Sequence, residues 1–153
     1  MNKQQAFTFI EILVVVTIIG LLTAAGSVSY SQFIKQSRDA KRKVDIEQIR
    51  AAIEMYRSNN GSYPLNGSGV DKVDVTTCST SGLTDSSLNT YLSKTPNDPK
   101  CNNTPSVKYY YQSAGPTYSI GANLEGTIGT VCAAGGCGTK DCNYCLGPYG
   151  QTN

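Results

Sequence analysis

The stretch that decides the fold is FTFIEILVVVTIIGLLTAA, residues 7–25. A helix needs roughly 20 mostly apolar residues to cross a bilayer, and no Lys or Arg occurs between Lys3 and Lys35. The twelve Phe, Ile, Leu and Val residues between positions 7 and 22 favour insertion by about 4–7 kcal/mol in total. The sequence therefore predicts one membrane-spanning helix near the N-terminus, over residues 7–30.

One acidic residue, Glu11, interrupts this apolar stretch. A carboxylate costs about 2.5–3.5 kcal/mol at the centre of a membrane helix and less near its end, so the segment is still expected to insert. An acid inside a membrane helix indicates a function and needs a partner. A backbone cut just before Phe7 would supply one, because the new α-amine would lie one helical turn from Glu11, in the same chain or in a neighbouring copy.

Residues 6–11, AFTFIE, resemble the class III signal of type IV pilins and type II secretion pseudopilins. In that family a prepilin peptidase cuts after a small residue and N-methylates the Phe that follows, and an acid is the fifth residue of the mature chain. The resemblance implies cleavage between Ala6 and Phe7, methylation of Phe7, and assembly roles for Glu11 and Thr8. Residues 1–6 would then be a leader peptide.

Two features depart from the family pattern. Ala6 stands where the family usually has Gly, and the first Pro of the chain is Pro64, whereas many pilins carry a Pro within the anchor helix. Any local unwinding of the helix in a filament would have to rely on Gly20 and Gly26.

Two other interpretations of the N-terminus stay open: an ordinary secretory signal cleaved after residues 23–25, and an uncleaved anchor. A count of positive charges even argues against export, because the run from Lys35 to Lys43 follows the helix while only Lys3 precedes it; by the positive-inside rule the C-terminal part would be cytoplasmic. The cysteines and the cleavage motif favour export.

The helix is predicted to continue beyond the membrane as an amphipathic segment over residues 31–58. No Pro or Gly occurs between Tyr30 and Arg57, and the helix-stop sequence Asn-Asn-Gly follows at residues 59–61. A helix from Phe7 to Ser58 would be about 78 Å long at 1.5 Å per residue. Four apolar residues at i, i+3, i+4 and i+7 spacing form its buried stripe: Ile49, Ala52, Ile53 and Tyr56.

A short basic run, Arg38 to Lys43, lies at the start of this amphipathic segment and is interrupted by Asp39. Short mixed charge runs on helices are usually exposed faces. We therefore expect a solvated or subunit-contact face rather than a DNA or lipid site. The net charge of +2 gives no reason to expect specific binding of nucleic acid.

Residues 59–153 are predicted to form the globular head. A long irregular connection over residues 64–106, with a short helix from Leu83 to Leu92, would precede Tyr-rich strands at 107–112 and 118–123 and a third strand near 127–131. The ten tyrosines are predicted to be half-buried strand residues rather than an adhesive surface. The fold class is α+β: a long N-terminal helix packed on a small antiparallel β-meander, with a disulfide-rich tail.

The head is also similar to the pilin family, in the sequence NNGSYP at 59–64, the Asp-Pro motif within 96–99, and the tyrosine-rich strands. This resemblance implies a pilin fold. A loop after these strands often binds calcium in major pseudopilins, but residues 126–138 contain no Asp, so no metal site is carried over. The resemblance does not place the tail from Gly126 onward.

The six cysteines all lie in the head. Six allow 15 disulfide pairings; proximity suggests one bridge between the first two and two bridges among the last four, each stabilising by about 2–4 kcal/mol. A zinc site from the last four and a redox pair in the Cys-x-x-Cys segment are alternatives that the export signal disfavours. The candidates are Cys78, Cys101, Cys132, Cys137, Cys142 and Cys145.

The chain contains no His, which removes the commonest general base and neutral metal ligand. We expect no catalytic role and no cofactor. The resemblance implies a subunit of a type IV pilus-like filament, or alternatively a pseudopilin of a type II secretion system. An anchored binding module or a secreted disulfide domain is a third hypothesis, from a different class.

The resemblance also implies where the chain resides and with what it assembles. Before assembly it would lie in the inner membrane, in contact with lipid, where prepilin peptidase and an inner-membrane assembly platform would act on it. Afterwards its partners would be further copies of itself, in an extracellular pilus or a periplasmic pseudopilus.

Overall fold

The computed structural model describes residues 7–75, 78, 81–101, 107–126, 132 and 135–151, and within the helix it does not describe the side chains of residues 27–29. Two predicted features lie outside these residues: Ala6, and the third strand near 127–131.

One helix, α1 (Phe9–Asn60), accounts for 52 residues. Thr8 caps its N-terminus, and Gly61 caps its C-terminus in the left-handed conformation, with φ of 75° and its N–H bonded to the carbonyl of Arg57. Glycine is favoured there because it has no Cβ to clash. The predicted continuous helix is confirmed, although it ends two residues beyond Ser58.

Ten short strands follow the helix in the part of the chain that the structure describes. The main sheet has four antiparallel strands in the order β10-β9-β6-β5, and three two-stranded pairs surround it: β1 with β2 in parallel, and β3 with β4 and β7 with β8 antiparallel. The strands are β1 (Leu65–Asn66), β2 (Lys72–Val73), β3 (Leu83–Thr84), β4 (Thr90–Leu92), β5 (Tyr110–Ala114), β6 (Thr117–Ala122), β7 (Gly136–Cys137), β8 (Lys140–Asp141), β9 (Tyr144–Gly147) and β10 (Gly150–Gln151).

The core lies between one face of the second half of α1 and the main sheet. The predicted helical stripe is buried there, and Ile46 extends it toward the N-terminus. From the sheet, Tyr118, Ile120 and Ala122 project into the core, as the alternation in the sequence predicts. The α+β architecture with its pilin-like arrangement is confirmed.

Tyrosine–carboxylate hydrogen bonds tie the sheet side of the head to the helix. The Tyr109 hydroxyl donates to Asp45 at 2.7 Å, and the Tyr118 hydroxyl donates to Glu54 at 2.9 Å. Both rings are buried more deeply than the half-buried positions predicted for them. Each pair lets an aromatic ring fill the core while its polar atom is satisfied by a helix acid.

The predicted helix from Leu83 to Leu92 is wrong: these residues form the β3–β4 hairpin. The carboxylate of Asp85 accepts hydrogen bonds from the backbone N–H groups of Ser87 and Asn89, both at 2.9 Å, and Leu88 has a φ of 66°. Aspartate side chains that bind the backbone nearby favour turns over helix. The apolar ends at Leu83 and Leu92 are buried as strand residues instead.

The tail that the sequence left unplaced supplies strands to the sheets. β9 lies beside β6, pairing Gly121 with Cys145, and β10 forms the outer edge of the main sheet. Two disulfides, Cys132–Cys145 and Cys137–Cys142, hold this segment together and form a second small buried cluster. The described part of the tail, residues 135–151, therefore belongs to the folded head.

The contact between Gly121 and Cys145 gives a prediction about glycine at position 121. A Cβ there would lie 2.6 Å from Cys145 Sγ, so we expect Gly121→Ala to lower the free energy of unfolding by about 1–3 kcal/mol and to raise the fraction of free thiols. Thermal unfolding and thiol titration measure both effects.

Gly136→Ala is the matched control, because the nearest atom to a Cβ there is 3.6 Å away, at ordinary contact distance. If Gly121→Ala matched this control in both stability and thiol content, the close packing of β6 on β9 would be refuted.

Candidate functional site

The first half of α1 is apolar and uncovered. Phe9 is 85% exposed and Leu21 is 73% exposed, and no part of the most apolar 18-residue window of the helix is buried. Within the described residues, α1 is the one helix long and apolar enough to cross a membrane. Such a surface is stable in lipid or against other apolar helices, but not in water.

Three of the predicted site residues meet at the start of this helix. Phe7 precedes it, Thr8 is its N-cap, and Glu11 lies in its first turn. The Thr8 hydroxyl accepts a hydrogen bond from the backbone N–H of Glu11 at 3.4 Å, and the Thr8 carbonyl accepts from the same N–H at 3.1 Å. The Thr-x-x-Glu spacing is the sequence signature of such a capped start.

Glu11 lies in the first turn of α1, at the helix end where the backbone dipole favours a negative charge. No cation forms a salt bridge with it among the residues that the structure describes. It is also exposed, so a positive group from outside the described chain can reach it. The predicted cleavage residue Ala6 lies outside the described residues, and its position relative to Glu11 stays a prediction.

A second apolar surface lies on the helix beyond the anchor. Tyr30, Phe33, Val44 and Met55 are all 59–68% exposed. Their spacings of 3, 11 and 11 residues place them along one side of a helix, because eleven residues make close to three turns. This side faces away from the buried stripe, so the head leaves it uncovered.

An ionic cluster joins the helix to the head. We call this cluster the ionic corner; it consists of Arg38, Asp39, Arg42, Asp98, Lys100 and Glu125. At its centre Arg42, whose side chain is 0% exposed, binds Asp98 with two nitrogens at 2.6 and 3.1 Å. A bidentate pair of this kind is the strong form of a charge-assisted hydrogen bond.

The same guanidinium also reaches the other acids of the ionic corner. Its Nη1 donates to Asp39 at 2.7 Å and to Glu125 at 3.0 Å. Asp39 in turn accepts from the backbone N–H groups of Glu125 and Gly126 at 2.8–3.0 Å. The loop after β6 is thereby fastened directly to α1.

Two further cations hold Glu125. Arg38 binds both of its oxygens, at 2.6 and 2.7 Å, and Lys100 binds one at 2.7 Å. The hydrogen bond from Arg38 is the largest cause that lowers the pKa of Glu125; partial burial opposes it, and Lys100 and Arg42 lower the pKa further. The Glu125 carboxylate therefore stays ionised at pH values well below the usual pKa of a glutamate.

The prediction that the run from Arg38 to Lys43 forms a solvated face is wrong for Arg42 and Asp39, which are buried. The sequence did hold a signal for Arg42: with Ile46, Ile49 and Ile53 it continues the i, i+4, i+7, i+11 spacing of the buried stripe. Nothing in the local sequence pointed to Asp98 as its partner, because that contact spans 56 residues.

The structure joins the six cysteines in three bridges. Cys78 bonds to Cys101, and the last four bond as Cys132–Cys145 and Cys137–Cys142. No free cysteine is left, so none is available as a zinc thiolate. Cys142 and Cys145 are not bonded to each other, which contradicts the redox-pair interpretation of that segment.

Comparison with protein families identifies two segments. Residues 1–27 match the prokaryotic N-terminal methylation motif, and residues 30–139 match the type II secretion system (T2SS) protein G family. Together they cover the anchor, the amphipathic helix and most of the head.

Curated relatives agree with this assignment. The type II secretion system core protein G of Pseudomonas aeruginosa is 32% identical over 127 residues, covering 80% of this chain and 86% of that protein. The same protein from Vibrio cholerae is 30% identical over 148 residues, covering 92% and 97%. A probable minor fimbrial protein of Dichelobacter nodosus is 31% identical over 74 residues, covering 48% and 45%.

No solved structure matches the chain. The family match nevertheless covers well over half of the residues, and it joins a methylation motif to a head of the pilin type. The resemblance to the type IV pilin and pseudopilin family is confirmed, and the chain belongs to the type II secretion system protein G family.

Proposed function

We propose that this chain is a pseudopilin, a structural subunit of a periplasmic filament in a type II secretion system, with no catalytic role. The observation that carries the proposal is the wholly exposed apolar half of α1, in a chain that belongs to the protein G family. The sequence alone favoured a type IV pilus. The relatives named core protein G support the pseudopilin alternative better.

Lipid covers the apolar half of α1 before assembly in this proposal, and neighbouring copies cover it afterwards. Lipid tails are as apolar as leucine, so moving the helix from lipid to a helix bundle gains little from the hydrophobic effect. Polar contacts then decide whether copies associate and in which register. Glu11 is the acid that can make such a contact at the start of the helix.

Processing would create the partner of Glu11. Cleavage between Ala6 and Phe7 leaves an α-amine two residues before the helix begins at Phe9. That positive charge lies at the helix end where the dipole is also positive, which is unfavourable unless an acid is near. The carboxylate of Glu11, in the same chain or in the next copy, offsets this cost.

The second apolar surface supports packing between copies beyond the membrane. Tyr30 and Phe33 follow the anchor, and Val44 and Met55 continue the same side along the part of the helix that carries the head. Helices of neighbouring copies can contact this side because the head occupies the other one.

The proposal gives each part of the chain a role. Residues 1–6 are the leader, 7–30 the membrane and polymerisation helix, 31–58 its amphipathic continuation, and 59–153 the head. The partners are prepilin peptidase, an inner-membrane assembly platform, lipid and further copies of the chain. The monomer is anchored in the inner membrane, and the filament lies in the periplasm.

A type IV pilus subunit is the second candidate function. The observation in its favour is the relative described as a probable minor fimbrial protein, which matches about half of this chain. The two candidates differ in where the polymer is found, since a pilus extends from the cell surface.

Processing predicts the mass of the N-terminal peptide of protein made in a host with prepilin peptidase. We expect a chain that begins at Phe7 and carries one added methyl group. Mass spectrometry of the purified protein measures it. A chain that begins at Met1, or near Gly26, would exclude prepilin processing and would favour an uncleaved anchor or a secreted domain.

Charge pairing at the helix start predicts the effect of Glu11→Leu. We expect the monomer to stay in the membrane fraction and the filament yield to fall at least about tenfold, which corresponds to the loss of roughly 1.4 kcal/mol per contact. Cross-linking and filament recovery measure the yield.

Glu47→Leu is the control, because Glu47 is an exposed acid on the same helix that pairs only with Arg50 among the described residues. Equal yields for the two variants would contradict the assembly role of Glu11.

The place of the filament separates the two candidate functions. A pseudopilin is expected to stay with the cell envelope when cells are sheared, whereas a pilus subunit would appear in the sheared filament fraction. Immunoblots of both fractions at native expression level measure the distribution. Recovery of most of the protein in sheared filaments would replace the pseudopilin proposal with the pilus one.

A further inference from the structure

Hydrogen bonds from α1 on one side and from the tail on the other hold residues 124–126, the start of the loop after β6. On the helix side, Asp39 accepts the backbone N–H groups of Glu125 and Gly126. On the tail side, the Asn143 side-chain amide exchanges two hydrogen bonds with the backbone of Leu124, at 2.6 and 2.9 Å. The backbone of residues 124–126 is therefore held by protein groups on both sides.

Every carboxylate oxygen of the ionic corner accepts an N–H group. Both oxygens of Asp98 bind Arg42, and one also accepts the backbone N–H of Lys100 at 2.7 Å. The oxygens of Asp39 and Glu125 are engaged in the same way by the contacts given above. Three acids face three cations, so the formal charges cancel.

This donor set does not fit a divalent cation. Calcium takes six to eight oxygen ligands. Here the carboxylate oxygens accept hydrogen bonds from nitrogen donors, and the Arg42 guanidinium, whose side chain is 0% exposed, occupies the centre. Calcium, which major pseudopilins often bind in a loop after these strands, thus finds no place among these carboxylates.

We propose that Arg42 acts as the internal cation of the head: its guanidinium joins α1, the Asp98 loop and the loop after β6, so that the stability of the head does not depend on a divalent metal ion. This inference is separate from the proposed function, because it concerns how the head is held and not what the filament does.

Glu125 gives the stability of the head a pH dependence. The pKa of Glu125 is lowered by Arg38, Lys100 and Arg42 in the folded head, so its stabilising effect is complete above the unfolded pKa of about 4.3 and is lost as the pH falls below it. The stability difference between the wild type and Glu125→Gln should therefore be largest at neutral pH and shrink in acid. A difference that is constant from neutral pH to acid would contradict the proposed charge pairing.

The central test compares Arg42→Met with Arg50→Met in the full chain in detergent micelles. Near-ultraviolet circular dichroism of the tyrosines follows thermal unfolding of the head, in excess calcium chloride and in excess EGTA. Removing one partner of a buried ion pair is strongly destabilising, so we expect Arg42→Met to lower the melting temperature by roughly 10 °C or more. Arg50→Met should lower it by no more than about 4 °C, because its pair with Glu47 is largely exposed.

The wild type should melt at the same temperature in calcium and in EGTA. A clear loss of stability in EGTA would overturn the proposal, and so would equal melting temperatures for the two variants. If Arg42→Met does not fold, the melting temperature of Arg42→Lys is measured instead. Lysine keeps the charge but loses the planar fork, so a lowered melting temperature supports the proposal, and a wild-type value refutes it.

Discussion

The structure depends on a single constraint: one continuous helix has an uncovered apolar half and a half that packs against the head. Its first half is apolar on all sides, and its second half is apolar only where the head covers it. The head leaves the apolar half of this 52-residue helix uncovered. That half can be removed from water only by contact with lipid or with other molecules.

Local patterns in the sequence predicted the helix, its buried stripe and the position of the β5–β6 hairpin. Each of these depends on neighbours within about ten positions: the apolar run from Phe7, the spacing from Ile49 to Tyr56, and the turn near Gly115. Such features can be derived from periodicity and turn chemistry. A short motif also points to the proposed assembly site, Phe7 to Glu11, and that assignment stays a prediction.

The features that the sequence did not reveal depend on long-range contacts. Arg42 looked like one cation among several until Asp98 was placed beside it. Leu83 to Leu92 has the composition of a short helix, and the carboxylate of Asp85 turns it into a hairpin. The tail could not be placed because β9 finds its partner, β6, across a segment rich in Gly and Cys. The head is small and its apolar core is limited, so buried ion pairs and three disulfides add to its stability. Neither kind of contact produces a periodic pattern in the sequence.

The strand order β10-β9-β6-β5 has a consequence for the timing of folding. β9 is an inner strand, yet its residues leave the ribosome after those of β5 and β6. Until it arrives, one edge of β6 has no strand beside it and can pair with the wrong chain. Folding of the head therefore has to wait for its last strands, and sheets that depend on such distant pairing form slowly. A chain already held in a crowded membrane by its anchor would be most exposed to mispairing during that interval.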